Sequence, residues 1–466
     1  MKHKLYRALS LLLAALLLSL PLASCGVFEE GLSALVTRAT ESYFSTSSPS
    51  STSGESADEA AFRAFLDLVN YDKVEETEKV FRTYYIGEFR EIEVCLPEVF
   101  DHILANYYYD RVTETEIATT VFINSYLAVL GDRYAYYYDP SSYGDYTEDI
   151  SGEYSGIGVS VTLNAEGYAD ILTVFASSPA EEAGLLPGDL IVAVEGVDFA
   201  EIGYQEAINR VRGEVGTTVT LTIERDGVRR DYTVTRRKVT EETVDHKMLD
   251  GDIGYIRITS FDDRTYEQFV EAYEALAAGG AEAYVFDVRN NPGGTLTSVV
   301  AILEYILPNG DIVHMNYKDP RYDKTVTTIY DVSRVYMDGV DRVYYENHAI
   351  TAPLTVLANG NTASAGELFT SSLMDYGVAT VIGEVTYGKG VGQSSFYVDN
   401  DGSAVTVTIF RYDPPVSPNY DGVGITPDLA VSLSEEASRK NIYKLTLDED
   451  AQLRAAIAHL TSANAQ

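Results

Sequence analysis

The chain has 466 residues, 45% of them hydrophobic, which is enough material for several domains with buried cores. Its formal net charge of −37 argues against nucleic acid as a partner. Two cysteines and six scattered histidines form no disulfide framework and no zinc-ligand spacing, so nothing implies a metal or other cofactor.

The N-terminus reads as a targeting segment. Lys2, Lys4 and Arg7 precede an apolar run from Leu9 to Leu22 that is too short for a typical spanning helix. The run ends in Leu22-Ala23-Ser24-Cys25, which resembles a bacterial lipoprotein signal. That resemblance implies removal of residues 1–24, lipidation of Cys25, and a lipid-anchored protein of the cell envelope facing outside the cytoplasm. Cys95 would then be left alone in an apolar stretch, as a buried thiol. Residues 25–57, rich in Ser and Thr, read as a flexible tether.

Helical spacing begins with Ala60, Phe62, Phe65, Leu66 and Val69, and returns at Val99, Ile103 and Tyr107 and at Ile117, Val121, Tyr126 and Leu130. Residues 58–150 are therefore expected to be an N-terminal helical region. From 151 to 238 the pattern is β-rich. Val219 to Ile223 alternates, Asp226-Gly227 can turn the chain, and alternation resumes at Tyr232, which predicts a hairpin. Gly156-Ile157-Gly158-Val159 and Ser178-Pro179 through Gly188-Asp189 resemble a PDZ domain. The first run is similar to the loop whose amides hold a peptide carboxylate; the second is similar to the helix and turn before a strand at Leu190–Val194. Such domains bind a C-terminal peptide by strand addition.

Strands and helices alternate from about 250, as in an α/β fold. A strand covers Ala283 to Val288, then Arg289-Asn290-Asn291-Pro292-Gly293-Gly294 turns, and Leu296 to Leu307 reads as a helix. A strand at Leu354 to Ala358 leads to a turn at Ser364, a helix to about Met374, and a strand at Thr380 to Ile382. The core is assigned to 239–445 and a C-terminal helix to 446–466, with Leu453, Ile457 and Leu460 on one face.

A serine and a lysine, Ser364 and Lys389, lie 25 residues apart, each inside a glycine-rich turn. A serine hydroxyl needs a base to become a nucleophile, and a lysine amine can be that base if burial leaves it neutral. Ser364 stands where a strand gives way to a helix, so the Ala365 amide is placed to meet a developing oxyanion. Gly293 or Gly294 can supply a second amide, since glycine lets backbone approach a ligand closely. No G-x-S-x-G elbow competes.

Arg289 to Gly294, Thr362-Ala-Ser-Ala-Gly-Glu367, Thr386-Tyr-Gly-Lys-Gly-Val-Gly-Gln393 and Gly422-Val-Gly-Ile-Thr-Pro-Asp428 resemble, in order, the motifs of the carboxyl-terminal processing proteases. Leu130-Gly-Asp-Arg-Tyr-Ala-Tyr-Tyr-Tyr-Asp-Pro140 resembles the family's run before its PDZ domain. The resemblance spans about residues 95–430. It implies a multidomain α/β protein: N-terminal helices, a PDZ domain and a core like the Clp-protease and crotonase spiral.

It further implies Ser364 as nucleophile, Lys389 as general base, Gln393 orienting the lysine, and Glu367 and Thr386 supporting the pair. Ala365 and the Gly293–Gly294 turn become oxyanion donors, and Arg212 a peptide-responsive arginine of the PDZ domain. The expected activity is serine endopeptidase action on proteins held by their C-termini, in a homodimer joined through terminal helices. The alternative is a non-hydrolytic PDZ scaffold with a degenerate core. The segment at about 311–350 matches the family poorly; it either shapes the substrate channel or decorates the surface.

Overall fold

A computed structural model describes residues 31–47, 57–164, 166–320, 324–332, 334–337, 340–343 and 349–463. The leader and Cys25 lie outside these residues. Helices follow at Leu32–Ser47, Ala57–Leu66, Tyr71–Tyr84, Ile92–Asn106 and Thr115–Leu130. Their starts and stops follow from local chemistry. The Asn70 side chain accepts the Asp72 and Lys73 N–H groups at the head of the third helix, and Gly131 ends the fifth at φ 79°. The fifth helix is apolar nearly all round, with Val121, Phe122, Ile123, Tyr126 and Leu127 buried, and so runs through the middle of the bundle.

Residues 32–47 correct the reading of 25–57 as a tether. Leu32, Val36 and Thr40 are buried at four-residue spacing, and the Tyr43 ring meets Phe44 and Phe100 edge-on. The Ser/Thr-rich composition that suggested a tether sets in only at Ser45; upstream, an apolar stripe docks on the bundle. Cys95 is a buried free thiol, and burial raises its pKa.

The segment that resembles a PDZ domain has its own core, built around Ile171, Ile191, Val194, Phe199, Val219 and Leu221. Its sheet runs Val159–Leu163, Ala169–Val174, Leu190–Val194, Thr218–Arg225, Val228–Thr235, so Val159–Leu163 is an edge strand. The hairpin turns at Asp226 and Gly227 with φ of 53° and 74°, the left-handed pair that suits strand twist. An antiparallel ribbon, Glu153–Gly156 against Arg237–Thr240, connects the domain to the remainder.

The core sheet runs Val244–Leu249, Ile253–Ile258, Ala283–Asp287, Leu354–Ala358, Thr380–Gly383, Leu429–Ala430, parallel after the first pairing. Side chains alternate between its two faces. Tyr284 and Phe286 enter the main core with the helices Leu296–Ile306 and Ala365–Asp375. Ala283 and Val285 meet Leu453, Ala456 and Leu460 of the C-terminal helix Ala451–Ala463.

A second sheet is centred on Ala404–Asp413. This strand pairs with Val391–Tyr397, with Asp311–Asp319, and with the short strand Tyr136–Tyr138 from the N-terminal part. Asp311–Asp319, from the segment that matched the family poorly, is thus built into the sheet rather than laid on its surface. The N-terminal helices and the core also share one continuous apolar cluster, from Leu32 to Ile425.

Candidate active site

Strand Leu354–Ala358 delivers the chain to Asn359, and five residues later Ser364 opens the helix Ala365–Asp375. Ser364 sits at φ 54°, ψ −119°, a conformation that a non-glycine residue holds only when its surroundings dictate it. Those surroundings are the Arg289–Gly294 turn. The Asn291 carbonyl accepts the Ala363 N–H at 2.9 Å, Asn290 and Asn359 exchange hydrogen bonds, and the Thr362 hydroxyl donates to the Val288 carbonyl at 2.8 Å.

Both glycines of that turn are required by close approach. A Cβ on Gly293 would lie 2.6 Å from the Ser364 Cβ, and one on Gly294 would run into the Phe261 carbonyl. Their amides differ. The Gly293 N–H is taken by the Asn291 Oδ1 at 2.8 Å. The Gly294 and Ala365 N–H groups meet no acceptor among the described residues.

Lys389 lies on the loop between strands Thr380–Gly383 and Val391–Tyr397. One carboxylate ties this loop to the serine turn. Glu367, with no exposed surface, accepts the Ser364 N–H at 2.9 Å and the Lys389 N–H at 2.8 Å through Oε2; its Oε1 accepts the Thr386 hydroxyl at 2.5 Å and the Gly388 N–H at 2.6 Å. Thr386 in turn accepts the Ile425 N–H at 2.7 Å, which fastens the Gly422–Asp428 segment. Burial lowers the Lys389 pKa. Asp132 and Glu367 act against that shift, and Arg133 adds to it.

Within this frame the side-chain amine of Lys389 makes no hydrogen bond among the described residues. It lies 4.5 Å from the centroid of the Tyr134 ring. The Ser364 side chain faces the hydroxyl of Tyr412, which is buried and donates to the Lys389 carbonyl. Gln393 donates to Thr408 at 2.9 Å, not to Lys389. Thr408 is held by Asp132, which accepts its N–H at 3.0 Å and its hydroxyl at 2.8 Å.

Asp132, Arg133 and Tyr134, from the run Leu130–Pro140, therefore belong to the site. Their motif was visible in the sequence but carried no role. Tyr412 had no signal beyond lying in an alternating strand. Its place at the serine follows from pairing between Ala404–Asp413 and Val391–Tyr397.

The chain from 252 to 431 matches the family model of peptidase family S41, and 171 to 225 matches a PDZ domain. It is 34% identical over 379 residues to the carboxyl-terminal-processing protease of Synechocystis, covering 78% of this chain and 83% of that one. The chain belongs to peptidase family S41. Among the other members of this family, the carboxy-terminal processing protease CtpA of Bacillus subtilis is 30% identical over 344 residues, covering 73% of this chain and 69% of that one. A solved putative S41 protease from Bacteroides fragilis shares the fold, with a TM-score of 0.50 at 17% identity, over 83% of this chain and 97% of that one. This S41 chain is accordingly a serine-type peptidase with a PDZ domain, which removes the ground for reading it as a non-hydrolytic scaffold.

In the PDZ domain of this peptidase, the Ile157 and Gly158 N–H groups have no acceptor among the described residues, and they adjoin the edge strand Val159–Leu163. Gly158 adopts φ 80°, and a Cβ there would strike Ser178. Arg212 points elsewhere. Its guanidinium donates to Asp149 on the helix Pro140–Ser151 at 2.9 Å and lies 5.0 Å from the Tyr154 ring centroid. It therefore sits at the junction of the PDZ domain with the remainder.

Proposed function

We propose that this peptidase cleaves protein substrates by acyl-enzyme chemistry on a Ser364–Lys389 dyad, after its PDZ domain has captured their C-terminal tails. The observation that carries the reading is Glu367, a single buried carboxylate that accepts the backbone N–H of both residues. No ordinary helix cap needs a link from the serine turn to a lysine turn.

In this mechanism the neutral Lys389 amine takes the proton from the Ser364 Oγ as that oxygen attacks the scissile carbonyl. The Ala365 and Gly294 N–H groups donate to the oxyanion; Gly293 contributes space rather than a donor. The lysine ammonium then protonates the leaving amine, leaving an ester on Ser364. Water completes the turnover, with Lys389 again as the base. Thr386 acts through Glu367, and Gln393 through Thr408 and Asp132.

The PDZ domain receives the tail along the edge of Val159–Leu163, with its carboxylate at the Ile157 and Gly158 amides. Upstream, the leader directs export and is removed, and a lipid on Cys25 anchors the enzyme in the cell envelope, facing outside the cytoplasm. Cys25→Ser should then release it from the membrane fraction.

The dyad is tested with a fluorophosphonate probe and a casein digest. Ser364→Ala and Lys389→Ala should each abolish hydrolysis, and the double variant should be little worse, because the pair acts as a unit. Lys389→Arg should be equally inactive, since a guanidinium stays charged. Activity should rise with pH through a pKa below the ordinary lysine value. Full activity in Ser364→Ala would end the proposal.

A further inference from the structure

The Lys389 amine lies over an aromatic face and makes no hydrogen bond to the hydroxyl it has to deprotonate. Tyr134 is not loosely placed there. Its N–H donates to the Asp132 Oδ1 at 3.2 Å, and Asp132 is bonded twice to Thr408 in the middle of strand Ala404–Asp413. Two residues further on, Tyr136–Tyr138 pairs with Ala404–Thr406 of the same strand. The ring is fixed to the sheet that also carries Tyr412 beside Ser364. A second cation, Arg133, lies 4.8 Å from the same ring centroid.

An aromatic face attracts an ammonium through its quadrupole and has no comparable attraction for a neutral amine. Proton loss therefore releases the amine from the ring. We propose that Tyr134 is a positioning residue for the general base: it holds the resting Lys389 ammonium away from Ser364 and gives it up only as the neutral amine. This inference rests on the dyad reading above. The proton balance is simple. The ammonium loses one proton to solvent, the free amine turns to Ser364, and it takes the Oγ proton as the Oγ–carbonyl bond forms.

The charged groups facing Lys389 set the direction of each expected effect. Asp132, from the same loop as the ring, and Glu367, from the serine helix, favour the ammonium; Arg133 disfavours it. Tyr134 joins the first group. Tyr134→Leu keeps an apolar wall, and hence the burial, but removes the quadrupole. The ammonium loses support, and the pKa of the base should fall by about half a unit to one unit. Arg133→Gln should move it the other way.

The experiment measures the rate at which a fluorophosphonate labels Ser364 in the full chain as a function of pH. The acid limb reports the proton on the base and does not depend on peptide capture. Tyr134→Phe should leave the apparent pKa in place, because the ring face remains. Tyr134→Leu should lower it. A trifluorinated phenylalanine installed at 134 keeps the ring's shape while cancelling most of its quadrupole, and should shift the limb in the same direction even where the leucine variant folds poorly. An apparent pKa equal to that of wild type in both the leucine and the fluorinated variants would overturn the proposal, as would a shift in Tyr134→Phe as large as in Tyr134→Leu. A flat wild-type profile, or rapid labelling in Lys389→Arg, would instead remove the dyad itself.

Discussion

Glu367 concentrates more of the site's geometry than either residue of the dyad. Four donors converge on its two oxygens, and none of the carboxylate is exposed. Glu367→Gln keeps the shape but turns one acceptor into a donor, so an amide must face two N–H or O–H groups. Losing buried charge-assisted bonds in this way should destabilise the fold by about 2–4 kcal/mol and reduce probe labelling of Ser364 severely. Chemical denaturation and labelling at a temperature where the variant remains folded separate the two effects. The residues that carry the serine and lysine motifs were legible in the sequence because glycine turns and strand–helix junctions leave a local signature. Tyr134 lay in a visible run that carried no role, and Tyr412 left no signature at all. A tyrosine on an alternating strand looks the same whether it fills a core or faces a nucleophile, and only the pairing of distant strands decides between the two.

Two element junctions make predictions of their own. Arg289 begins the turn that packs against Ser364, and it is fully enclosed between Asp287 and Asp450. Asp450 sits at the head of the C-terminal helix, where it also accepts the Leu453 N–H. Asp450→Asn leaves a buried guanidinium short of a counter-charge and should cost about 3–5 kcal/mol, with a loss of labelling that reveals movement of the oxyanion turn. The sequence suggested a helix over 446–466 and the described one runs Ala451–Ala463, but Asp450 read only as an acidic residue near its start.

The other junction is the ribbon that carries the PDZ domain. Burial first, then Asp262 and Asp149, push the Glu241 pKa up to about 7, with Arg212 opposing them. In the unfolded chain this carboxyl ionises near its ordinary value. The group therefore favours folding fully below that value and loses the contribution as pH rises through 7. Glu241→Gln should accordingly be more stable than wild type at pH 8, by about 1–2 kcal/mol, and no more stable at pH 4. Urea denaturation at the two pH values checks both the sign and the window.

At the scale of the molecule, the sequence suggested three parts in a row, but the apolar contacts describe two bodies. The PDZ domain closes on its own core and joins through one ribbon, so residues 153–240 expressed alone should unfold cooperatively with a transition of their own. The N-terminal helices cannot be separated in this way. Residues 31–150 expressed alone should fail to fold, because their apolar cluster is completed by the peptidase core, and calorimetry of the whole chain should show no third transition. Helical periodicity marked Ala57–Leu66, Ile92–Asn106 and Thr115–Leu130 but not Leu32–Ser47 or Tyr71–Tyr84, and it carries no record of the partner that an apolar face meets.

The strand Tyr136–Tyr138 and the Asp132–Thr408 bond, which joins positions 276 residues apart, also govern when activity can begin. A ribosome makes Ser364 and Lys389 well before Asp450, yet the oxyanion turn lacks its anchor until the last helix has emerged. Contacts of such separation form late. A growing chain therefore lacks the Asp450 counter-charge of Arg289 until its last helix has emerged, and a chain that ends before that residue should fail to label with a fluorophosphonate.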